Sequence, residues 1–255
     1  MNDPVLAAQC GRIKSMIRQA AQNEAFQENY YAKNYHHWQL SPPAQLGEIE
    51  EFERRAGVEL PIEYVYYLTR VGRGGAAPGT FFRDFDPQQK IYYPMDQVSE
   101  QLTEELPEAE WEQRFGCDWD GDREVGILTL CGMDLTYVAY LVTAGPQRGR
   151  VVYMDYDNEM APMWPKDSPD FLTWCENFYS ELLAGCSISP TWKFMWQQPG
   201  DEDALIRAFR RSEDEAYRKE VLLSFGKFPR LAPKARAFLQ GIQEPEYQKI
   251  IQKLI

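Results

Sequence analysis

Residues 46–79 read LGEIEEFERRAGVELPIEYVYYLTRVGRGGAAPG, and their punctuation decides the fold. Leu46, Ile49, Phe52 and Ala56 recur at helical spacing, and Gly57 stands where a helix ends on a left-handed residue. Pro61 opens the next helix, because its fixed φ suits the first turn and its missing N–H is not needed there. In that helix Ile62, Val65, Tyr66 and Thr69 share a face, and Gly72, Gly74 and Gly75 then break the chain into a loop. The unit is a helix, a tight corner, a second helix and a glycine turn. The loop RGGAAPGT lacks the GK[ST] ending of a phosphate-binding loop and opens no helix after a strand, so it reads as a helix stop with a turn.

A second informative stretch, residues 126–155, reads GILTLCGMDLTYVAYLVTAGPQRGRVVYMD. Gly126 to Leu130 is a short strand. Thr136 to Thr143 is apolar on both faces, as a central strand covered on both sides requires. The turn AGPQRG returns the chain into Arg150 to Met154 as a hairpin. Further on, Ser168 and Pro169 open a helix in which Phe171, Leu172, Cys175, Phe178, Tyr179 and Leu182 form a wide apolar face. Cys175 on that face reads as a small core residue and not as a nucleophile.

These stretches, in this order, resemble the SUKH superfamily, which includes fungal Smi/Knr-type cell-wall regulators and many bacterial immunity proteins. Leu60, Pro61, Tyr64, Gly72, Gly126 and Gly149 carry the resemblance as shaping residues, and it covers roughly Trp38 to Leu183. The resemblance implies an α+β domain with a mainly antiparallel, twisted sheet flanked by helices. It implies a non-enzymatic protein-binding function without cofactor or metal: an immunity protein that neutralises a cognate toxin of a bacterial polymorphic-toxin system by occluding its active site. The alternative is a regulatory scaffold for an endogenous partner, as in the cell-wall members.

The chain divides accordingly. Residues 1–37 hold an amphipathic helix, capped by Asp3 and striped by Leu6, Cys10, Ile13, Ile17 and Ala20, expected to dock on the core. Residues 38–186 form the SUKH-like domain. Residues 191–255 form a helical extension, signalled by Asp201 before ALIRAF, an S-x-x-E box from Ser212 to Glu215, Pro233 before KARAFL and Pro245 before EYQKIIQKLI.

Charge narrows the partner. The 255 residues carry a net −12, yet from Thr191 onward twelve Lys and Arg face nine Asp and Glu, leaving about −15 on the rest. Such a body disfavours nucleic acid and anionic membranes as direct partners and favours a basic protein surface or a cation. The most acidic stretch, Glu100 to Glu124, sets ten acids against Arg114 and Arg123. Its DWDGD run, Asp118 to Asp122, fails the EF-hand spacing, since Arg123 and Thr129 stand where Gly and Glu are needed. A metal-dependent enzyme built on this loop is therefore only a third reading. The preferred one is a recognition loop in which Glu108, Glu110, Asp118, Asp120 and Asp122 surround the apolar anchor Trp119, suited to a basic, nuclease-like toxin. The competing reading is a solvated acidic helix and turn whose tryptophan packs inward.

Histidine and cysteine usage excludes other chemistry. His36 and His37 are the sole histidines, and neighbours on a helix point about 100° apart, so they make no zinc site and read as surface or packing residues. Five cysteines form no CxxC pair, which fits a reducing compartment. With no basic n-region and no long apolar run, the expected location is cytoplasmic.

Overall fold

A computed structural model of the chain describes residues 2–27, 29–88, 126–134, 136–155, 162–186, 194 and 196–255. Helix α1 (Pro4–Gln22) starts where the Asp3 carboxylate accepts the N–H groups of Val5 and Leu6, satisfying two donors that the first turn leaves open. Its buried stripe is Cys10, Ile13, Ile17 and Ala20. A short α2 (Glu24–Gln27) and a π-helix, Ala32–His36, follow.

Helix α3 (Leu46–Ala56) opens with a capping box, in which the Glu48 carboxylate accepts the Gln45 N–H at 2.7 Å, and closes on Gly57 at φ 69°. It buries Ile49 and Phe52 but leaves Leu46 exposed. Helix α4 (Ile62–Arg70) has Pro61 as its N-cap. Here the expected one-sided face gives way to burial all round: Tyr64 to Leu68 are all buried, and Ile62 is exposed. The cause is its position, because α1 packs on one side of it and Phe82 and Phe171 lie edge-on to Tyr67 on another.

The strands β1 (Ile127–Asp134), β2 (Tyr137–Val142) and β3 (Val151–Asp155) form an antiparallel sheet in the order β1-β2-β3. Leu128 pairs with Leu141, and Ala139 with Tyr153. The protein is thus α+β, with its apolar-run strand β2 at the centre of this sheet. Helix α5 (Phe171–Leu183) covers the sheet and donates the Trp174 indole N–H to the Tyr153 hydroxyl at 2.6 Å. Its cap is not Ser168 but Asp170, two residues later, whose carboxylate accepts the Thr173 N–H at 2.8 Å. Pro169 therefore precedes the helix.

Among the described residues the C-terminal part holds α6 (Glu202–Arg211), α7 (Glu215–Ser224), α8 (Pro233–Gly241) and α9 (Pro245–Leu254), with a 3-10 turn at Phe225–Lys227. The cap of α7 is Asp214, not Ser212, whose hydroxyl instead accepts the Asp214 N–H. Leu205, Phe209, Leu222, Phe225, Leu239 and Tyr247 belong to an apolar cluster of their own, distinct from the one that α1, α3, α4, the sheet and α5 share. Among the described residues no helix is long and apolar enough to cross a membrane.

A buried ion pair joins the two clusters. Glu181 on α5 and Lys227 after α7 lie 3.1 Å apart with side chains 3% and 1% exposed. The same Glu181 oxygen accepts the Gly200 N–H at 2.8 Å, and Lys227 also donates to the Gln198 carbonyl at 2.8 Å. Removing one partner strands the other charge in a dry site. Lys227→Met is expected to cost about 3–5 kcal/mol. Combining it with Glu181→Gln, which keeps an acceptor for Gly200, should recover most of that loss; urea unfolding of the three proteins reads both effects.

Candidate protein-binding face

The recognition residues singled out above, Glu108, Glu110, Asp118, Trp119, Asp120 and Asp122, lie outside the described residues. The chain on either side of this stretch is firmly held. On one side the Arg55 guanidinium donates to the Pro87 carbonyl at 2.6 and 3.0 Å; on the other, Gly126 O accepts the N–H and hydroxyl of Thr143 at 2.8 and 2.7 Å.

Most of the shaping residues meet at one corner. Leu60 is buried and gives its N–H to the Glu53 carboxylate at 2.7 Å. The Arg148 guanidinium, in the β2–β3 turn, donates to Glu59 O at 2.8 Å and Leu60 O at 2.9 Å, gripping the α3–α4 corner. Gly149 beside it has φ 95°, a conformation that favours glycine, and accepts the Phe171 N–H at 3.1 Å. Phe171 in turn lies edge-on to Tyr64 at 5.0 Å. A Cβ built on Gly149 would lie 3.7 Å from the Pro61 side chain. Gly72 stands apart, at the far end of α4, where a Cβ would come 2.7 Å from Ser41 O. A second junction holds the two halves together: Thr80 N donates to Gly132 O at 2.8 Å, and a Cβ on Gly79 would lie 1.8 Å from that oxygen.

That junction carries an exposed aromatic group. The Asn29 side chain accepts the N–H groups of Tyr31 and Ala32, and so starts the π-helix. His37 and Trp38 then both adopt positive φ, 49° and 55°, which for non-glycine residues stores strain and is held only by strong surroundings. Those surroundings are the Trp38 indole, which donates to Phe26 O at 3.1 Å, and the Tyr31 hydroxyl, which donates to Met133 O at 2.7 Å on β1. The segment thereby presents Tyr30 and Tyr35, both exposed, with rings 6.1 Å apart. A hydrogen bond with Tyr30 pushes the Tyr35 hydroxyl above its ordinary pKa. Exposed Phe81 follows Thr80 at the same end of β1. Rigid, half-exposed tyrosines are effective protein-binding anchors, since they offer area at little cost in side-chain entropy. The sequence signal for Tyr30 and Tyr35 is the tyrosine density of YYAKNY, and that for Phe81 the aromatic run of Thr80 to Phe85.

Among the described residues no group of three His, Cys, Asp or Glu could hold a metal ion. Cys175 is fully buried, and burial raises its thiol pKa well above the ordinary value, so the thiol stays protonated in the core. His36 is buried too, and its Nδ1 accepts the Trp38 N–H at 3.0 Å, which places the proton of the neutral ring on Nε2.

Two outcomes are expected. Gly79→Ala forces β1 away from the glycine turn and should cost more than about 3 kcal/mol, or prevent folding, in a urea titration. Burial lowers the His36 pKa from 6.5 to about 4, so the unfolded chain takes up a proton that the folded one resists. The neutral ring's contribution is complete above pH 6.5 and lost as the pH falls towards 4, about 3 kcal/mol in all. Glu181, raised by burial, acts with the opposite sign, so the comparison of wild type with His36→Gln isolates the histidine slope.

No protein-family model matches the chain, and comparisons with curated proteins and with solved structures return no match.

Proposed function

We propose that the chain is a SUKH-like, Smi/Knr-type protein-binding domain and acts as a cytoplasmic immunity protein, occluding the active site of a cognate polymorphic toxin. The observation that carries this reading is spatial. The two stretches on which the resemblance rests, 46–79 and 126–155, are locked to one another by the Arg148 grip and by the Gly79–Gly132 approach. Residues scattered along the sequence thus act as one scaffold.

On that scaffold the two halves of the mechanism follow from charge and apolar area. The acidic body steers a basic, nuclease-like partner to encounter, with Glu108, Glu110, Asp118, Asp120 and Asp122 supplying the recognition charge. Trp119, Tyr30 and Tyr35 supply apolar anchors that slow release. A specific complex would bury on the order of 1,600 Å².

The test is a titration with the C-terminal domain encoded immediately upstream of this gene. One-to-one binding should weaken at least about tenfold between low and high salt, and again with Asp120→Lys. Replacing Tyr30 and Tyr35 by alanine should raise the dissociation rate while leaving association nearly unchanged. Absence of binding, or salt-independent binding, would count against this reading.

A further inference from the structure

The C-terminal helices are built as a unit complete in itself. Helices α7 and α9 are each ten residues long and start at residues 215 and 245, while α6 and α8 end at 211 and 241, so one helix pair recurs at a fixed interval. Phe209 lies edge-on to both Phe238 and Tyr247, at 5.5 and 5.6 Å, so the first pair packs on the second through rings. The Asp203–Lys234 ion pair and the bond from the Ala232 N–H to Glu202 tie α6 to α8 as well. The apolar residues of this unit bury one another: among the described residues their cluster shares no member with that of α1, α3, α4, the sheet and α5.

The join between the two is polar by contrast. Glu181 reaches from α5 to Lys227 and to the Gly200 N–H. Lys166 pairs with Glu220 at the rim, where both side chains are more than 40% exposed and the pair adds little. The attraction inside a buried pair does little more than offset the cost of drying its charges, and burial holds the Glu181 carboxyl above its ordinary pKa in spite of Lys227. Beside the pair the Gln198 side-chain oxygen is buried without a partner among the described residues, a further cost of docking. Cohesion is therefore strong within each part and weak between them, which is the condition for one part to open while the other stays folded.

We propose that the α6–α9 unit undocks from the end of α5 as a folded body, through an opening of the Glu181–Lys227 join that leaves both apolar clusters intact. In the open form the basic helices are no longer held at a fixed angle to the acidic body. The proposal does not rest on the immunity reading, and either can fail without the other.

Cys186 reports this opening. It is buried at the join, where burial raises its thiol pKa to about 12 and Glu181, Lys227, Asp201 and Glu202 all act on it. It belongs to neither apolar cluster, whereas Cys131 and Cys175 lie inside that of the body. The experiment alkylates the full native chain with iodoacetamide at a series of sub-denaturing urea concentrations and reads each cysteine by peptide mass spectrometry. Cys186 is expected to react at least about 100-fold faster than Cys131 and Cys175. Its rate should rise with urea less steeply than theirs but measurably, because undocking exposes some surface and far less than unfolding does. Lys227→Met strands the Glu181 charge and should speed Cys186 at least about tenfold; adding Glu181→Gln should return the rate to within about threefold of wild type. Equal rates or equal slopes at the three cysteines would overturn the proposal, since the unit would then open only with the whole chain. A rate at Cys186 that ignores urea would overturn it in favour of local fraying, and an unchanged rate in Lys227→Met would show that the pair does not hold the join. The wild-type slopes decide the matter even where Lys227→Met does not fold.

Discussion

The buried pair between Glu181 and Lys227 is the constraint on which the arrangement of the two apolar clusters depends. Burial outweighs the attraction of Lys227 and holds the Glu181 carboxyl above the ordinary carboxylate range. A pair in such a site adds little net stability, yet each member is costly to leave alone. Its geometry is nevertheless fully specified, since Glu181 also accepts from Gly200 and Lys227 also donates to Gln198. Ser224 extends the network by accepting the Gln198 N–H at 2.8 Å. The C-terminal helices are thereby keyed to one turn of α5.

Helix α5 passes that constraint inward. At its start Phe171 bonds to Gly149 and packs on Tyr64; in its middle Trp174 bonds to Tyr153 on β3; near its end Glu181 holds the C-terminal part. From the sheet the path continues along β1 to Gly132 and Met133, where the glycine turn and Tyr31 attach. The exposed tyrosines therefore stand on a chain of buried polar contacts and close-packed rings. A surface held in this way meets a partner with little left to order, which favours slow dissociation.

Much of the fold was legible where the signal is local and periodic. The α1 stripe from Cys10 to Ala20 is buried as its spacing predicts, and the β2–β3 hairpin follows from a run of apolar residues and a glycine turn. Faces of short helices were less legible: Leu46 and Ile62 are exposed because neighbours distant in sequence, not the local pattern, decide what a helix of three turns buries. In both misplaced caps an aspartate two residues after the serine took the cap, Asp170 after Ser168 and Asp214 after Ser212. The π-helix had no sequence signature, since it depends on Tyr31 and Trp38 finding acceptors at Met133 and Phe26. The need for glycine at position 79 was equally hidden, because its cause is the oxygen of Gly132.

Neutralisation of a toxin by this chain, as proposed, is read out by growth. The upstream toxin domain would be expressed in a susceptible bacterial host with and without this chain. The chain is expected to restore growth, and Asp120→Lys, at equal soluble abundance, is expected not to. Continued toxicity in the presence of abundant, folded chain would contradict it.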